Sequence, residues 1–258
     1  MILLLSAMPE EIEALTPRLD AVTTAAGAAV AAGAAVAALA GREVLRGRLA
    51  GEPVTLAFAR WGKVAAASTA ARLIVQERPR AVIFTGIAGA LRDDLAVGDL
   101  VVARDLYQHD LDASPFYPPT VVPLLGRAAL PADAALSAGL LAAARRWRAE
   151  DPGAAPRRIL HADIATGDQV IGTAEARARV RERVPTAACV EMEGAAVAQV
   201  CAESGLPYAC LRLISDRADE RLAPDEVFAL ARRSGPAHGG AAASLRDPVR
   251  SGHRPVRA

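Results

Sequence analysis

The sequence predicts an α/β protein in which helices cover a sheet that is buried on both faces. Short aliphatic runs at residues 1–7, 81–85 and 208–214 are each followed by a segment of different character, and Ala-rich stretches of helical length lie between them. Continuous apolar runs are typical of such doubly covered strands. The composition agrees, because 52% of the residues are hydrophobic but only 3% are aromatic. At 258 residues the chain is long enough for one large domain, and we predict one.

Local signals predict the individual elements in chain order. After the first strand, Pro9 stands where the first turn of a helix accepts proline. Residues 21–41 are of low complexity and indicate neither helix nor loop, whereas 234–258 are rich in Gly, Pro and Arg and predict a disordered tail. Further strands are predicted at 43–49, 53–59, 81–85, 100–102, 158–165 and 208–214, and helices at 64–78, 136–150, 173–183, 194–203 and 225–232.

Charge and leader signals exclude several classes of protein. Thirty basic and twenty-nine acidic residues leave a net charge of +1, which gives no electrostatic reason to expect nucleic acid or an anionic membrane as partner. The apolar start is too short for a signal peptide, and no run reaches the length of a membrane span. We therefore expect a cytoplasmic protein.

Cysteines and histidines give no sign of a disulfide framework or a metal site. The cysteines are odd in number, lie in apolar runs and form no Cys-x-x-Cys pair, so we interpret them as buried thiols. The histidines lack the spacing of metal ligands, and we predict no metal. The residues concerned are Cys189, Cys201 and Cys210, and His109, His161, His238 and His253.

Residues 190–219 hold the strongest candidates for chemistry. Glu191 and Glu193 open an Ala-rich helical run, and Ser215 and Asp216 follow directly on the strand predicted at 208–214. In α/β proteins, ligands bind in the crevice outside the carboxyl ends of strands, which makes Asp216 a candidate site residue. The alternative is that Ser215 or Asp216 only caps the next helical turn.

Three other segments carry candidates with an equally plain structural alternative. Glu10 and Glu11 lie at the positive end of the helix that begins near Pro9, where acids stabilise the helix dipole even without another role. The glycines at 86–89 follow a strand and allow either close approach to a ligand or close packing. Residues 107–119 form a loop with aromatic, acidic and proline residues, a composition typical of functional or interfacial loops.

Seven short segments, taken together, resemble the nucleoside phosphorylase and nucleosidase superfamily. Within it the chain is most similar to the bacterial 5′-methylthioadenosine/S-adenosylhomocysteine nucleosidases. The resemblance implies a three-layer α/β fold with a mixed central sheet in one catalytic domain, residues 1–233, and no cofactor. The segments are SAMPEEI at 6–12, WGKVAAA at 61–67, TGIAGAL at 85–91, GDLVV at 98–102, TGD at 166–168, VEMEG at 190–194 and RLISDRAD at 212–219.

The resemblance also implies roles for the candidate acids. Asp216 corresponds to the general acid that protonates nitrogen 7 of the purine, with Ser215 orienting it. Glu11 corresponds to the residue that activates water, and Glu193 to the residue that accepts hydrogen bonds from the ribose 2′ and 3′ hydroxyls. Glu191 is then left with a structural role. Such a division suits cleavage through an oxocarbenium-like sugar, which needs an acid for the leaving base and a water on the opposite face.

Contacts to the substrate are implied in the same way. Met8 and Met192 are expected to pack on the sugar, Gly86 to approach the ligand, and the backbone of Val170 and Ile171 to contact the purine edge. Val170 departs from the many relatives that stack a Phe on the purine. Phe116 falls where the family places an aromatic residue from the neighbouring subunit over the 5′ group, which implies a homodimer with shared sites.

Two alternatives remain at this point. A phosphorylase would need cations at its phosphate site, and related purine phosphorylases have arginines near the positions of Glu11 and Phe84, so Arg60 would have to serve; a hydrolase of another 5′-modified adenosine is a near variant. The second alternative is an inactive nucleoside-binding relative, because the long closing helix of the family gives way to the tail after Arg233. Retention of Glu11, Glu193 and Asp216 together argues against inactivity.

Overall fold

A central ten-stranded sheet organises the protein. The structure, a computed structural model, describes residues 1–11, 15–23, 44–150, 153, 158–219, 226 and 229. The strands are β1 (Ile2–Ser6), β2 (Leu19–Thr23), β3 (Val44–Leu49), β4 (Glu52–Phe58), β5 (Ala81–Ala90), β6 (Leu100–Gln108), β7 (Leu130–Pro131), β8 (Ile159–Thr166), β9 (Ala187–Glu191) and β10 (Tyr208–Asp216), and the helices are α1 (Lys63–Glu77), α2 (Ala134–Glu150), α3 (Ala174–Arg183) and α4 (Gly194–Glu203).

The sheet is mixed, and one half of it closes on itself. β1 lies parallel between β4 and β5, and β5 continues parallel to β10. From β10 the order runs through β6, β8 and β9, and β9 then pairs antiparallel with β5. Parallel pairing brings the carboxyl ends of β1, β5 and β10 to the same edge, which is where an α/β protein binds its ligand.

Helices cover both faces of the sheet, so the predicted three-layer α/β architecture is confirmed. Successive residues of a strand point to opposite faces. Leu5 and Phe84 accordingly pack with the buried sides of α1 and α4, whereas Leu4 and Leu56 pack with α2. The arginines of α2, Arg145, Arg146 and Arg148, lie on its exposed side.

The helix predicted at 173–183 forms as α3, and Thr173 caps its start. Thr173 has extended backbone angles, and its hydroxyl accepts a hydrogen bond from the Ala176 N–H at 3.2 Å. A threonine here satisfies one of the donors that the first helical turn leaves unpaired. Val180 on the inner side of α3 packs with Ile171 and Val190, which connects this helix to the end of the sheet that carries the site.

Several predicted boundaries are wrong, and strand pairing is the reason in each case. β5 does not end in a turn after Thr85 but continues to Ala90, because β10 pairs with it as far as Gly89. β6 likewise extends to Gln108 through its pairing with β8. Glu191 does not open a helix; it ends the unpredicted strand β9, and the helix begins at Gly194.

Pro9 begins a three-residue 3₁₀ helix, Pro9–Glu11, and residues 12–14 lie outside the described part of the chain. The low-complexity residues 24–43, most of the helix predicted at 225–232, and the tail predicted at 234–258 also lie outside it. The domain boundary at 233 therefore stays a prediction. No helix within the described residues has the length and apolar character needed to span a membrane.

Candidate active site

A cavity of about 270 Å³ lies at the carboxyl ends of β1, β5, β9 and β10. Three buried or half-buried acids from distant parts of the chain meet there: Glu11, Glu193 and Asp216. Glu191 lines it, and so do eight of the ten residues to which the resemblance gives a role at the site, namely Met8, Glu11, Val170, Ile171, Met192, Glu193, Ser215 and Asp216.

Glu11 is held by the backbone of two strand ends. Its Oε2 accepts hydrogen bonds from the N–H groups of Ala7 at 2.9 Å and Met8 at 3.0 Å, and from the Ser6 hydroxyl. Its Oε1 accepts from the Ile87 N–H at 3.0 Å. Glu11 is therefore fixed in the cavity wall, and stabilisation of a helix dipole does not account for its position.

Gly86 makes room for Glu11 and for a cation behind it. A Cβ atom at Gly86 would lie 2.6 Å from Glu11 Oε1 and 2.7 Å from Arg212 Nη1, closer than real contacts allow. Gly86 itself stands behind the cavity wall, and Gly89 of the same segment lines the cavity. The carboxylate of Glu11 and the guanidinium of Arg212 thus converge on one point, and only glycine permits it.

Arg212 is the functional candidate that sequence reasoning missed. Its side chain is 1% exposed and forms an ion pair with Glu191, and its guanidinium carbon stacks 4.5 Å from the centre of the Phe84 ring. Its Nε and Nη1 atoms make no hydrogen bond within the described residues. The available signal was an arginine inside the apolar strand YACLRLIS, because a buried charge requires a partner.

Glu191 is saturated with hydrogen-bond donors. Its carboxylate accepts from the hydroxyl of Thr166, the guanidinium of Arg212, and the backbone N–H groups of Glu193 at 3.0 Å and Gly194 at 2.8 Å. The Thr166 hydroxyl in turn accepts from the Ala195 N–H at 2.9 Å. Such a network neutralises Arg212 and leaves Glu191 with little capacity to bind a ligand.

Glu193 has a very different environment. Within the described residues its Oε1 accepts one hydrogen bond, from the Gly62 N–H at 2.8 Å. Burial and the nearby charge of Glu191 raise the pKa of Glu193 from its ordinary 4.5 to about 8, although Arg212 and the Gly62 hydrogen bond act in the opposite direction. Its remaining lone pairs face the cavity.

Asp216 is fixed by its own segment. Its Oδ2 accepts a hydrogen bond from the Ser215 hydroxyl at 2.7 Å, and its Oδ1 accepts from the Ala218 N–H at 2.8 Å. A Cβ atom at Gly89 would lie 2.9 Å from Asp216 Oδ1, so this glycine also provides necessary space. Ser215 therefore stands where the orienting residue is expected.

The aromatic residues at the cavity differ from those expected from the sequence. Val170 is 73% exposed along the cavity, and no aromatic ring stands at that position. Trp61, which was not predicted as a site residue, lines the cavity and is 45% exposed. Phe116 is 87% exposed and lies outside the cavity of its own chain.

The cysteines of the protein are buried and play no part in the cavity wall as the structure describes it. Cys189, Cys201 and Cys210 are free and buried, so the interpretation as buried thiols is confirmed. Burial raises the pKa of Cys201 to about 12 and that of Cys210 to about 11, which keeps both as thiols. Among the described residues, no group of three or more His, Cys, Asp or Glu is arranged to hold a metal ion.

Comparison with known proteins decides the family. The profile of the Phosphorylase superfamily matches residues 1–243. A 5′-methylthioadenosine/S-adenosylhomocysteine nucleosidase from Shewanella piezotolerans is 35% identical over 184 residues, which cover 71% of this chain and 76% of the relative. The chain belongs to the 5′-methylthioadenosine/S-adenosylhomocysteine nucleosidase family. The resemblance drawn from the seven segments is thereby confirmed, and with it the class of purine nucleosidases, which are N-glycosyl hydrolases.

Solved structures agree with this assignment to the nucleosidase family. The nucleosidase of Colwellia psychrerythraea, in complex with adenine, superposes with a TM-score of 0.80 at 28% identity, covering 95% of this chain and 93% of that one. A futalosine hydrolase of Helicobacter pylori superposes with a TM-score of 0.76 at 29% identity, covering 95% and 96%. The nucleoside phosphorylase-like fold is therefore confirmed.

Proposed function

We propose that the protein hydrolyses the N-glycosidic bond of 5′-methylthioadenosine and S-adenosylhomocysteine, and releases adenine and a 5′-substituted ribose. Membership of the nucleosidase family supports the substrate class. The cavity supports the reaction, because Glu11, Glu193 and Asp216 all border it. An inactive relative would have no reason to keep three acids in one small cavity.

Each acid has one task in the proposed reaction. Asp216 gives its proton to nitrogen 7 of the purine, so that the electrons of the breaking bond between C1′ and nitrogen 9 are accepted by a neutral leaving base. A water molecule adds its oxygen to C1′ from the other face, and its proton passes to Glu11. Glu193 accepts hydrogen bonds from the ribose 2′ and 3′ hydroxyls, which fixes the ring as positive charge develops on it.

Substrate contacts complete the proposed site. Met8 and Met192 pack against the ribose, and the backbone of Val170 and Ile171 borders the purine edge; all four residues line the cavity. Because Val170 has no ring, Trp61 is the one aromatic side chain in the described cavity wall that offers a flat apolar surface to the nucleoside. Ser215 orients Asp216 through its 2.7 Å hydrogen bond.

One observation favours water over phosphate as the nucleophile: the buried cation of the site is outnumbered by acids. Arg212 is paired with Glu191, and its charge is further surrounded by Glu11 and Glu193. A phosphate dianion placed against Glu11 and Glu191 would be repelled, whereas a neutral water can donate a hydrogen bond to Glu11. Arg60, the cation considered from the sequence, is not part of the described cavity wall.

A hydrolase of another 5′-modified nucleoside is the second candidate. The likeness to the futalosine hydrolase of Helicobacter pylori, with its TM-score of 0.76, favours including that substrate. In both cases the same acids would serve, because the purine and ribose ends of the substrates are treated alike. The difference between the two substrates lies at their 5′ end.

We further propose that the protein acts as a cytoplasmic homodimer. Phe116 supports a dimer, because its ring is 87% exposed on a Pro-rich loop and is therefore accessible to the surface of a second subunit. By family correspondence that surface is the 5′ end of the partner's site. Three free thiols in the core suit a reducing compartment.

The deciding experiment follows release of the free purine base, adenine or hypoxanthine according to the substrate, by the purified protein in phosphate-free buffer. 5′-Methylthioadenosine, S-adenosylhomocysteine, 5′-deoxyadenosine and futalosine are compared, and the sugar product is analysed with and without added phosphate. We expect a free 5′-methylthioribose and adenine at a rate that phosphate does not change. Release that requires phosphate and yields a sugar phosphate would make the protein a phosphorylase, and no release from any substrate would make it a binding protein.

A further inference from the structure

Lys63, Asp110 and Asp168 form a charged clasp between two walls of the cavity. The Asp168 carboxylate accepts a hydrogen bond from the Lys63 backbone N–H at 2.7 Å. The Lys63 ammonium group pairs with Asp110 at 2.6 Å, and the other oxygen of Asp110 accepts from the Asp168 N–H at 2.8 Å. Each of the three residues therefore contacts both of the others, although they come from the start of α1, the loop after β6 and the turn after β8.

The clasp supplies what the start of α1 lacks. Gly62 precedes the helix and offers no side chain to its unpaired N–H groups. Asp168, from a segment about a hundred residues away, occupies the place of that missing cap. Gly62 itself has φ of +92°, and a Cβ there would lie 3.1 Å from Asp168 Oδ1, so the peptide is held in a conformation that only glycine adopts easily.

The clasp also affects the cavity, through the backbone N–H of Gly62, the residue that precedes Lys63. Gly62 donates the one hydrogen bond that Glu193 receives within the described residues, at 2.8 Å. On the other side, Gln169 and Val170 follow Asp168 directly and line the cavity. The clasp thus joins the segment that holds Glu193 to the segment that borders the purine.

We propose that Asp168 is a positioning residue, which through the clasp fixes the Gly62 N–H against Glu193 and so presents the Glu193 carboxylate to the ribose diol. The role of Glu193 at the diol rests on the proposed function. Asp168 contacts neither substrate nor reacting atoms in this scheme; it acts through the backbone of residues 62–63. Lys63 and Asp110 support it by fixing its turn.

Two substitutions of Asp168 separate the effect of its hydrogen bond from the effect of its negative charge. Asp168→Ala removes the acceptor, whereas Asp168→Asn keeps an oxygen that can accept from the Lys63 N–H. Since an amide oxygen can still accept a hydrogen bond, though a weaker one than a carboxylate oxygen accepts, we expect kcat/KM for 5′-methylthioadenosine to fall about 10-fold in Asp168→Ala, mostly through a higher KM, and to recover most of that loss in Asp168→Asn. Asp94→Ala, which removes an exposed carboxylate outside the cavity, should match the wild type.

The pH profile distinguishes positioning from a general loss of structure. The charged groups that face Glu193 are Glu191, Glu11 and Arg212. The hydrogen bond from Gly62 also contributes to the pKa of Glu193, and this contribution is the one that the clasp holds in place. Loosening Gly62 should raise the pKa of Glu193 further, so the acidic limb of kcat moves to higher pH in Asp168→Ala. Loss of the negative charge of Asp168 alone would instead lower the pKa of Glu193 and move this limb to lower pH. Asp168→Asn measures that effect. A merely destabilised enzyme would lose amplitude without any shift of the limb.

Binding gives a readout that does not depend on turnover. A C-nucleoside analogue of adenosine, whose C1′ bond is carbon to carbon, and its 2′,3′-dideoxy counterpart are titrated by calorimetry into wild type and variants. We expect Asp168→Ala to lose affinity for the diol ligand about 10-fold and to bind the dideoxy ligand unchanged. Equal losses for both ligands, or none, would overturn the proposal; if Asp168→Ala does not fold, Asp110→Asn is judged by the same two ligands. A wild type that binds the diol but releases no adenine would defeat the proposed function and leave this test valid.

Discussion

Glu191 and Glu193 lie two residues apart and are both buried, yet their surroundings differ completely. Glu191 accepts from a hydroxyl, a guanidinium group and two backbone N–H groups, so its lone pairs are occupied by the protein. Glu193 has one donor within the described residues, and the pKa of its carboxyl group is raised to about 8 by burial and by Glu191. The saturated acid stabilises the fold, and the unsaturated acid is available to a ligand.

Asp216 extends this comparison and carries the largest predicted effect. Its two donors leave acceptor capacity toward the cavity, which places it with Glu193 rather than with Glu191. Asp216→Asn cannot deliver a proton to the purine, so kcat should fall by roughly 10²–10⁴-fold while nucleoside affinity stays within a few-fold. Adenine release and calorimetric binding check the two parts.

A matched control for Asp216→Asn is available in the same segment. Asp219→Asn alters a partly exposed acid that pairs with Arg217 and does not line the cavity, and it should keep wild-type turnover. If Asp216→Asn also kept more than about a tenth of wild-type turnover, the proton would have to come from elsewhere, because general acid catalysis is worth more than this.

The saturated acid should matter chiefly for stability. Glu191→Gln leaves the guanidinium of Arg212 buried without its counter-charge, and breaking a buried pair in this way costs about 3–5 kcal/mol of unfolding free energy. Urea denaturation measures it. Asp94→Asn breaks the half-exposed pair with Arg92 and should cost no more than about 1 kcal/mol. Equal losses in the two variants would remove the distinction between Glu191 and an ordinary surface acid.

The difference between these two glutamates was only partly visible in the sequence. The resemblance assigned Glu193 to the ribose and Glu191 to structure, but the partner of Glu191 was missed, because Arg212 and Thr166 lie on strands that only the closed sheet brings together. Local signals identified the apolar strands and the helix at 173–183, since both depend on neighbouring residues. They failed at β9 and at the second half of β5, which pair with each other across about a hundred residues of chain.

The roles of the glycines at 86–89 could be predicted from the sequence even less. The sequence allowed close packing or ligand approach for residues 86–89, and the structure has both, with Gly86 making room for Glu11 and Arg212 while Gly89 lines the cavity beside Asp216. A glycine has no side chain to indicate what it faces. Only the positions of Glu11, Arg212 and Asp216 around it decide which role it has.

The smallest predicted effect that distinguishes Glu193 from Glu191 is the pH dependence of the free energy of unfolding. An acid whose pKa is raised on folding binds its proton more tightly in the folded protein than in the unfolded chain, so the stability linked to Glu193 is present below pH 4.5 and is lost as the pH rises to about 8. Glu193→Gln has no such proton, and its unfolding free energy should not decline with the wild type. The variant should gain on the order of 2 kcal/mol relative to the wild type between pH 5 and pH 8.

Urea denaturation at pH 5, 6.5 and 8 measures this gain, and Glu203→Gln is the control because it removes an exposed acid from the end of the same helix. The control should follow the wild type at all three pH values. Parallel curves for wild type and Glu193→Gln would mean that Glu193 is already ionised throughout this range. The carboxylate would then be compensated by groups other than Gly62 and Arg212, and its contrast with Glu191 would be one of hydrogen-bond geometry alone.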